Sequence, residues 1–145
     1  MKTNENLFLS YKGMVYPWNC DHMGHMNVMW YTGKFDEATW HVFSRIGLNQ
    51  TFLKANSRGM AAVKQETVYR KEILAGSLIV IHSCVLEMKE KAIRFYHEMI
   101  NEETGEICAT TIFTGVHLDL LTRKSCAFPE DIFLNGQKLT VNLNL

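Results

Sequence analysis

One short stretch of the chain concentrates groups able to move protons and polarise a carbonyl. From Asn19 to Asn27 it reads Asn-Cys-Asp-His-Met-Gly-His-Met-Asn, placing the carboxylate of Asp21, the imidazoles of His22 and His25 and the carboxamide of Asn27 close together. Directly after it Val28, Tyr31, Phe35, Ala38, Val42 and Ile46 recur every three or four residues, while Lys34, Glu37, His41 and Arg45 take the opposite stripe. That period predicts one long amphipathic helix, with Asn27 as its N-cap and Gly47 as its stop. A helix start presents unpaired N–H groups and the positive end of the dipole. It can hold a developing oxyanion. Asp21, just upstream, could attack a carbonyl or act as general base for a water. Together these groups suit acyl-group hydrolysis.

Simpler readings compete. Asp is a favoured cap and turn residue, so Asp21 could merely brace the loop. His22 reads as a surface or interface residue. Cys20, His22 and His25 make a Cys-x-His-x-x-His run, which is not a common zinc spacing, and no second Cys/His pair follows, so no metal is expected. Met23, Met26 and Met29 read as core filler. The chain contains no G-x-S-x-G, G-x-G-x-x-G or Walker loop, which argues against a serine-hydrolase elbow and against dinucleotide or P-loop binding.

The elements that must position this turn follow from periodicity. Leu7–Tyr16 alternates, with Leu7, Leu9, Tyr11 and Val15 on one side, and Pro17 ends it. Gly33, inside the helix, costs about 1 kcal/mol relative to Ala, so close packing is expected there. From Gly59 the pattern is β: Met60–Lys71, Leu78–Met88, Ala92–Ile100 and Glu106–Asp119, joined by short turns, imply an antiparallel sheet. Pro129 with Glu130 and Asp131 predicts a short late helix stopped near Gly136. Leu139, Val141, Leu143 and Leu145 alternate with polar residues, so the tail reads as a further strand pairing with a sheet edge or a neighbouring subunit. The fold class is α+β, one long helix packed on one antiparallel sheet.

Composition sets the frame. The 145 residues suit one domain, 1–145, and are 47% hydrophobic and 21% charged, with 15 Lys+Arg against 15 Asp+Glu. Zero net charge argues against a nucleic-acid partner and against a polybasic membrane patch. No apolar run approaches a membrane span and no signal-peptide core is visible, so a cytoplasmic location with no membrane association is expected. Cys20, Cys84, Cys108 and Cys126 are widely spaced and read as free thiols. Asn49-Gln50-Thr51 matches a glycosylation triplet by chance.

Asp21-His22-Met23-Gly24-His25-Met26-Asn27, Tyr31 and Phe35-Asp36-Glu37-Ala38 resemble the hot-dog-fold acyl-CoA thioesterases of the 4-hydroxybenzoyl-CoA thioesterase type. The similarity extends to Glu66–Glu72 with Ala75-Gly76. Gly105–Thr110, with His117, Asp119 and Arg123-Lys124-Ser125, looks closest to the betainyl-CoA thioesterase-like branch. The resemblance implies a hot-dog fold, a helix wrapped by the sheet, and a homodimer, in some relatives a homotetramer, with active sites at the dimer interface. It implies hydrolysis of an acyl-CoA, with coenzyme A as part of the substrate and no separate cofactor. By position Asp21 matches the catalytic acid residue and the Val28 amide the carbonyl-polarising donor. Tyr31 matches an aromatic near the acyl pocket, and His25 and Asn27 match residues that orient Asp21 or water. Many relatives carry a second Asn where Val28 stands.

Other candidates have weaker support. Glu66 shares a strand face with Lys64 and Arg70: an ion pair on a solvated face, or a second active-site carboxylate. His117 and Asp119 read as structural. Arg123 and Lys124 form a charged loop that could bind CoA phosphates. Trp40 reads as core or interface. Trp18 and Trp30 could help cage a quaternary ammonium, although core packing is the simpler reading. Two further functions fit the same fold: a hydratase/dehydratase, which needs an Asp/His motif not evident here, and a non-catalytic acyl-CoA-binding protein.

Overall fold

The 3.6-residue period becomes one continuous helix. In the computed structural model, which describes residues 5–145, the elements in order are β1 (Phe8–Met14), a short 3₁₀ turn (Pro17–Asn19), α1 (Val28–Ile46), α2 (Gln50–Ala55), β2 (Arg58–Tyr69), β3 (Leu78–Met88), β4 (Ala92–Asn101), β5 (Ile107–Asp119), β6 (Lys124–Ser125) and α3 (Glu130–Lys138). Both expected caps of α1 form. Asn27 Oδ1 accepts from Met29 N–H at 2.9 Å, and Gly47 adopts the left-handed conformation, φ 105°, that a residue with a Cβ avoids.

All strand pairs are antiparallel, in the order β1-β3-β4-β5-β2, with β6 beside β5. The three central strands follow one another in sequence through short turns. β1 and β2 occupy opposite edges, and the connection between them carries α1 across the sheet. The core lies between α1 and the sheet. Tyr31, Phe35, Ala38, Phe43 and Ile46 meet Ile79, Ile81, Val85, Ile93, Phe95, Met99 and Phe113. Among the described residues, no helix is long and apolar enough to cross a membrane. The four cysteines are free.

A polar chain runs through this apolar layer. Thr39 on α1 donates to Phe35 O at 2.9 Å, so it must accept from His97 Nε2–H, also 2.9 Å away. His97 Nδ1 then accepts from the Ser83 hydroxyl. Ser10 Oγ lies 2.6 Å from Ser83 Oγ and 3.0 Å from Ile81 O. His97 is fully buried and stacks on Phe35, and burial pushes its pKa down to about 3, so it is neutral in the fold.

Several expectations are corrected. The register of β1 slips between Leu9 and Tyr11, so Leu9 faces solvent while Ser10 turns inward, and the single alternation from Leu7 to Val15 is broken. Lys34 does not share the solvated stripe of α1. It is buried under β1, its Nζ 3.3 Å from both Tyr11 Oη and Met14 O, and burial lowers its pKa. A Cβ on Gly33 would meet nothing within 4 Å, so close packing within this chain does not require glycine there. The helix α2 was not evident in the sequence. Its N-cap is Asn49, whose side chain accepts from Phe52 N–H.

α3 runs through Gly136 and ends at Lys138. A Cβ at Gly136 would meet Met88 Sδ, so a larger residue there requires the Met88 side chain to move. The tail after it forms no strand. Thr140 makes one isolated parallel bridge to Val85, through Val85 N–H to Leu139 O at 3.2 Å and Val141 N–H to Val85 O at 2.9 Å. Val85 lies just past the last β1 pair, Phe8 with Ser83, so the tail covers the stretch of β3 that β1 leaves open.

Candidate functional site

The loop before α1 is built by its own backbone. Gly24, at φ 87°, closes a turn in which Gly24 N–H donates to Asp21 O and Asp21 N–H donates to His25 O. Met26 anchors the loop to the core, being buried and donating its N–H to Ile73 O at 2.7 Å. Buried Asn19 ties the preceding turn by accepting from Tyr16 N–H through its side chain.

Within this frame the Asp21 carboxylate is held by two donors. Met23 N–H donates to Oδ1 at 2.9 Å and Asn27 Nδ2 donates to Oδ2 at 2.8 Å. The Asn27 bond, then the Met23 amide, holds its pKa below the ordinary carboxylate value, so Asp21 is ionised around neutrality. The same Asn27 side chain caps α1 through Met29 N–H. One residue therefore fixes both the carboxylate and the start of the helix. The first helical N–H, that of Val28, has no acceptor among the described residues.

Val28 opens onto a groove of about 270 Å³ lined by His25, Met26, Val28, Tyr31, Tyr69, Arg70, Lys71 and Glu72. Tyr31 is buried behind it, donates its hydroxyl to Lys71 O at 3.2 Å and packs edge-on against Tyr69. Burial pushes its pKa up to about 12, so it is a neutral phenol. His25 Nε2 lies 3.6 Å from Glu72 Oε1. Lys71 pairs with Glu106 at 3.0 Å, while Arg70 has no carboxylate within 4 Å among the described residues.

The structure thus gathers Asp21, Asn27, His25, Val28 and Tyr31 around one helix end. Trp30 is half-buried against the core and Trp18 is exposed, stacked on Tyr16 at 4.5 Å. Trp40 is partly exposed and edge-packed on Phe43. Glu66 stays outside the groove, exposed on β2, with its carboxylate 3.0 Å from Lys64 Nζ. Arg123 and Lys124 are also elsewhere. They follow Asp119, which pairs with Arg58 at the start of β2, whereas the groove is walled by Tyr69 at its end. The length of β2 separates them, roughly 36 Å at 3.3 Å per residue. His117 is buried with Nδ1 3.1 Å from Cys126 O, and Asp119 accepts from Leu121 and Thr122 N–H, a structural role for both. Tyr69, Arg70 and Glu72 were missed as groove residues. Their signal was the Glu66–Glu72 segment, which carries its groove-lining residues at its C-terminal end rather than at Glu66. Among the described residues no His, Cys, Asp and Glu group is placed to hold a metal ion.

A curled antiparallel sheet wrapped on one long helix is the hot-dog fold. Solved structures share this fold along nearly the whole chain. A hypothetical protein from Staphylococcus aureus, solved in complex with CoA, matches with a TM-score of 0.86 at 19% identity, covering 100% of this chain and 91% of that one. A 1,4-dihydroxy-2-naphthoyl-CoA thioesterase from Synechocystis matches with a TM-score of 0.80 at 16% identity, covering 92% and 97%. The model of the thioesterase-like superfamily matches residues 15–135, and the chain belongs to that family. An L-carnitine dehydrogenase/betainyl-CoA thioesterase from Agrobacterium fabrum is 30% identical over 111 residues, which is 75% of this chain. The match spans 22% of the length of that curated relative.

Proposed function

We propose that the chain hydrolyses an acyl-CoA thioester to the free acid and CoA. The observation that carries this is Asn27, whose one side chain holds the Asp21 carboxylate and caps the helix whose Val28 N–H is unused. In this reading the thioester oxygen takes the Val28 N–H, and Asp21, outside the groove lining but bonded to Asn27 at the same helix start, supplies the carboxylate. In the water route Asp21 takes a proton from water as the water oxygen bonds to the carbonyl carbon. The oxyanion rests on Val28 N–H, the C–S bond breaks, and the CoA thiolate leaves and is protonated. In the nucleophilic route Asp21 itself forms the bond to carbon, the C–S bond breaks to release the CoA thiolate, and water hydrolyses the resulting mixed anhydride to the free acid and the regenerated Asp21 carboxylate.

Membership of a thioesterase-like family supports the reaction, and the betainyl-CoA and 1,4-dihydroxy-2-naphthoyl-CoA thioesterases among the similar proteins, with the CoA complex of the Staphylococcus aureus protein, support CoA as carrier. Arg70, unpaired at the groove, suits CoA phosphates better than Arg123 or Lys124. We also propose a homodimer that completes the groove. β2 is an edge strand with Val63, Val68 and Tyr69 exposed along it, an edge that a second copy would cover. Light scattering should give at least twice the 16.7 kDa of one chain.

Free-CoA release over a panel of acyl-CoAs tests the reaction. The parent should release CoA, and Asp21→Asn should lose about a hundredfold or more in kcat with KM little changed. Parent-rate hydrolysis by Asp21→Asn would reduce Asp21 to a turn residue. Oxygen-18 from water entering Asp21 in a single turnover would identify the nucleophilic route.

A further inference from the structure

A second concave site lies at the other end of α1. It is a groove of about 590 Å³ lined by Trp40, Ser44, Leu48, Leu53, Lys54, Arg58 and Leu120, with Asn49 and Gln50 at its rim. At a helical rise of 1.5 Å per residue, Ser44 is roughly 24 Å along α1 from Val28, so within one chain this is not the site described above. Its size falls in the range of small-molecule sites, and its walls combine an apolar body with few polar groups, as such sites do.

The charges are one-sided. Lys54 and Arg58 both line the groove, and no carboxylate does. Lys54 has no ion-pair partner among the described residues, and Arg58 has none within 4 Å. Arg58 donates from Nη1 to Cys126 Sγ, which leaves its other N–H groups available and fixes the direction of the guanidinium. Asp119, opposite Arg58 in the ladder, acts on it only at longer range, because its Oδ1 accepts from the Leu121 and Thr122 amides. Two cations at the rim of an apolar groove match a ligand with an apolar body and one anionic head, and a guanidinium favours a planar carboxylate.

We propose that this groove binds a free monocarboxylic acid, its chain or ring against Trp40, Leu48, Leu53 and Leu120 and its carboxylate on Arg58 and Lys54. Calorimetric titration of the full chain tests this with three probes of equal chain length: octanoate, octan-1-ol and octyltrimethylammonium. Octanoate should bind saturably, one per chain. The alcohol and the cation should bind at least about tenfold more weakly, as should octanoate to Lys54→Gln and to Arg58→Gln. Leu120→Trp, which fills the groove without altering charge, should weaken octanoate equally. Lys54 is exposed, so its variant tests the charge contact even if Arg58→Gln misfolds. Asp21→Asn should bind octanoate like the parent, which separates this site from the hydrolytic one. Octanol binding as tightly as octanoate, octanoate binding unchanged in Lys54→Gln and Leu120→Trp, or no saturable heat would each overturn the proposal.

Discussion

Two hydrogen-bond networks hang on the same helix, and they differ in what they leave open. At the start of α1, Asp21, Asn27 and Met29 form a partly exposed chain beside the unused N–H of Val28. In the middle, Ser10, Ser83, His97 and Thr39 form a buried chain in which both ring nitrogens of His97 have partners. Both central groups have lowered pKa values, for opposite reasons. Hydrogen bonds favour the charged form of Asp21, whereas burial disfavours the charged form of His97. The first keeps a charge ready at a surface, and the second excludes charge from a core. A polar network with an unfilled position is suited to a substrate, while a filled one fixes the packing of helix on sheet.

Mutation should separate the two. After Asp21→Asn itself, the largest effect is expected at Asn27. Asn27→Ala removes both the cap and the partner of Asp21, and kcat should fall about tenfold to a hundredfold while loss of the cap costs about 1 kcal/mol of stability. Asn27→Asp keeps a capping oxygen but sets a second carboxylate against Asp21. It should raise the pKa of Asp21 and move the acid limb of the rate–pH profile upward. A rate that follows only the melting temperature in both variants would make the exposed network structural as well.

The buried network should show the reverse pattern. Ser83→Ala leaves His97 Nδ1 without a donor and should cost about 1–3 kcal/mol in denaturant unfolding, with kcat unchanged below the melting temperature. Its pH dependence has a definite sign. The unfolded chain protonates this histidine at about pH 6.5, but the fold resists until about 3, so between those values unfolding takes up a proton. The stability is complete above pH 6.5 and is lost as pH falls toward 3. Burial of His82 and His117 adds in the same direction. His97→Gln should therefore flatten the fall of melting temperature between pH 6.5 and 4. The smallest effect is expected at the tail. Deleting residues 141–145 removes one bond to Val85 and should lower the melting temperature by no more than a few degrees, without a change in kcat.

The parts legible in the sequence are those set by local periodicity and cap chemistry. Asn27, Gly47 and the three-or-four spacing define α1, and alternation with short turns defines β2 to β5. What was not legible depended on which elements cross. Lys34 sits on a stripe with Glu37 and Arg45, yet β1 lies over it and takes its ammonium. The register slip at Ser10 has no local signature, because its cause is Ser83 on another strand. In the site, the turn residues were legible because they are contiguous. Glu66, Arg123 and Lys124 were not placed by sequence, since only the register of β2 on β5 sets which end of the sheet they occupy.

The strand order also has a consequence in time. β3, β4 and β5 are joined by close turns, with Met88 beside Ile93 and Ile100 beside Ile107, so their pairing closes short loops. β1 must reach from Phe8 to Ser83, and β2 from Arg58 to Asp119, closures that carry a larger entropic cost. The meander therefore forms a nucleus onto which the two edges are added afterwards. Asp21 follows one edge and the groove wall at Tyr69 ends the other, so the candidate site exists only once both late additions are made. In amide exchange the β4 core should be the slowest region, and the amides of β1 and β2 should open together with the site they carry.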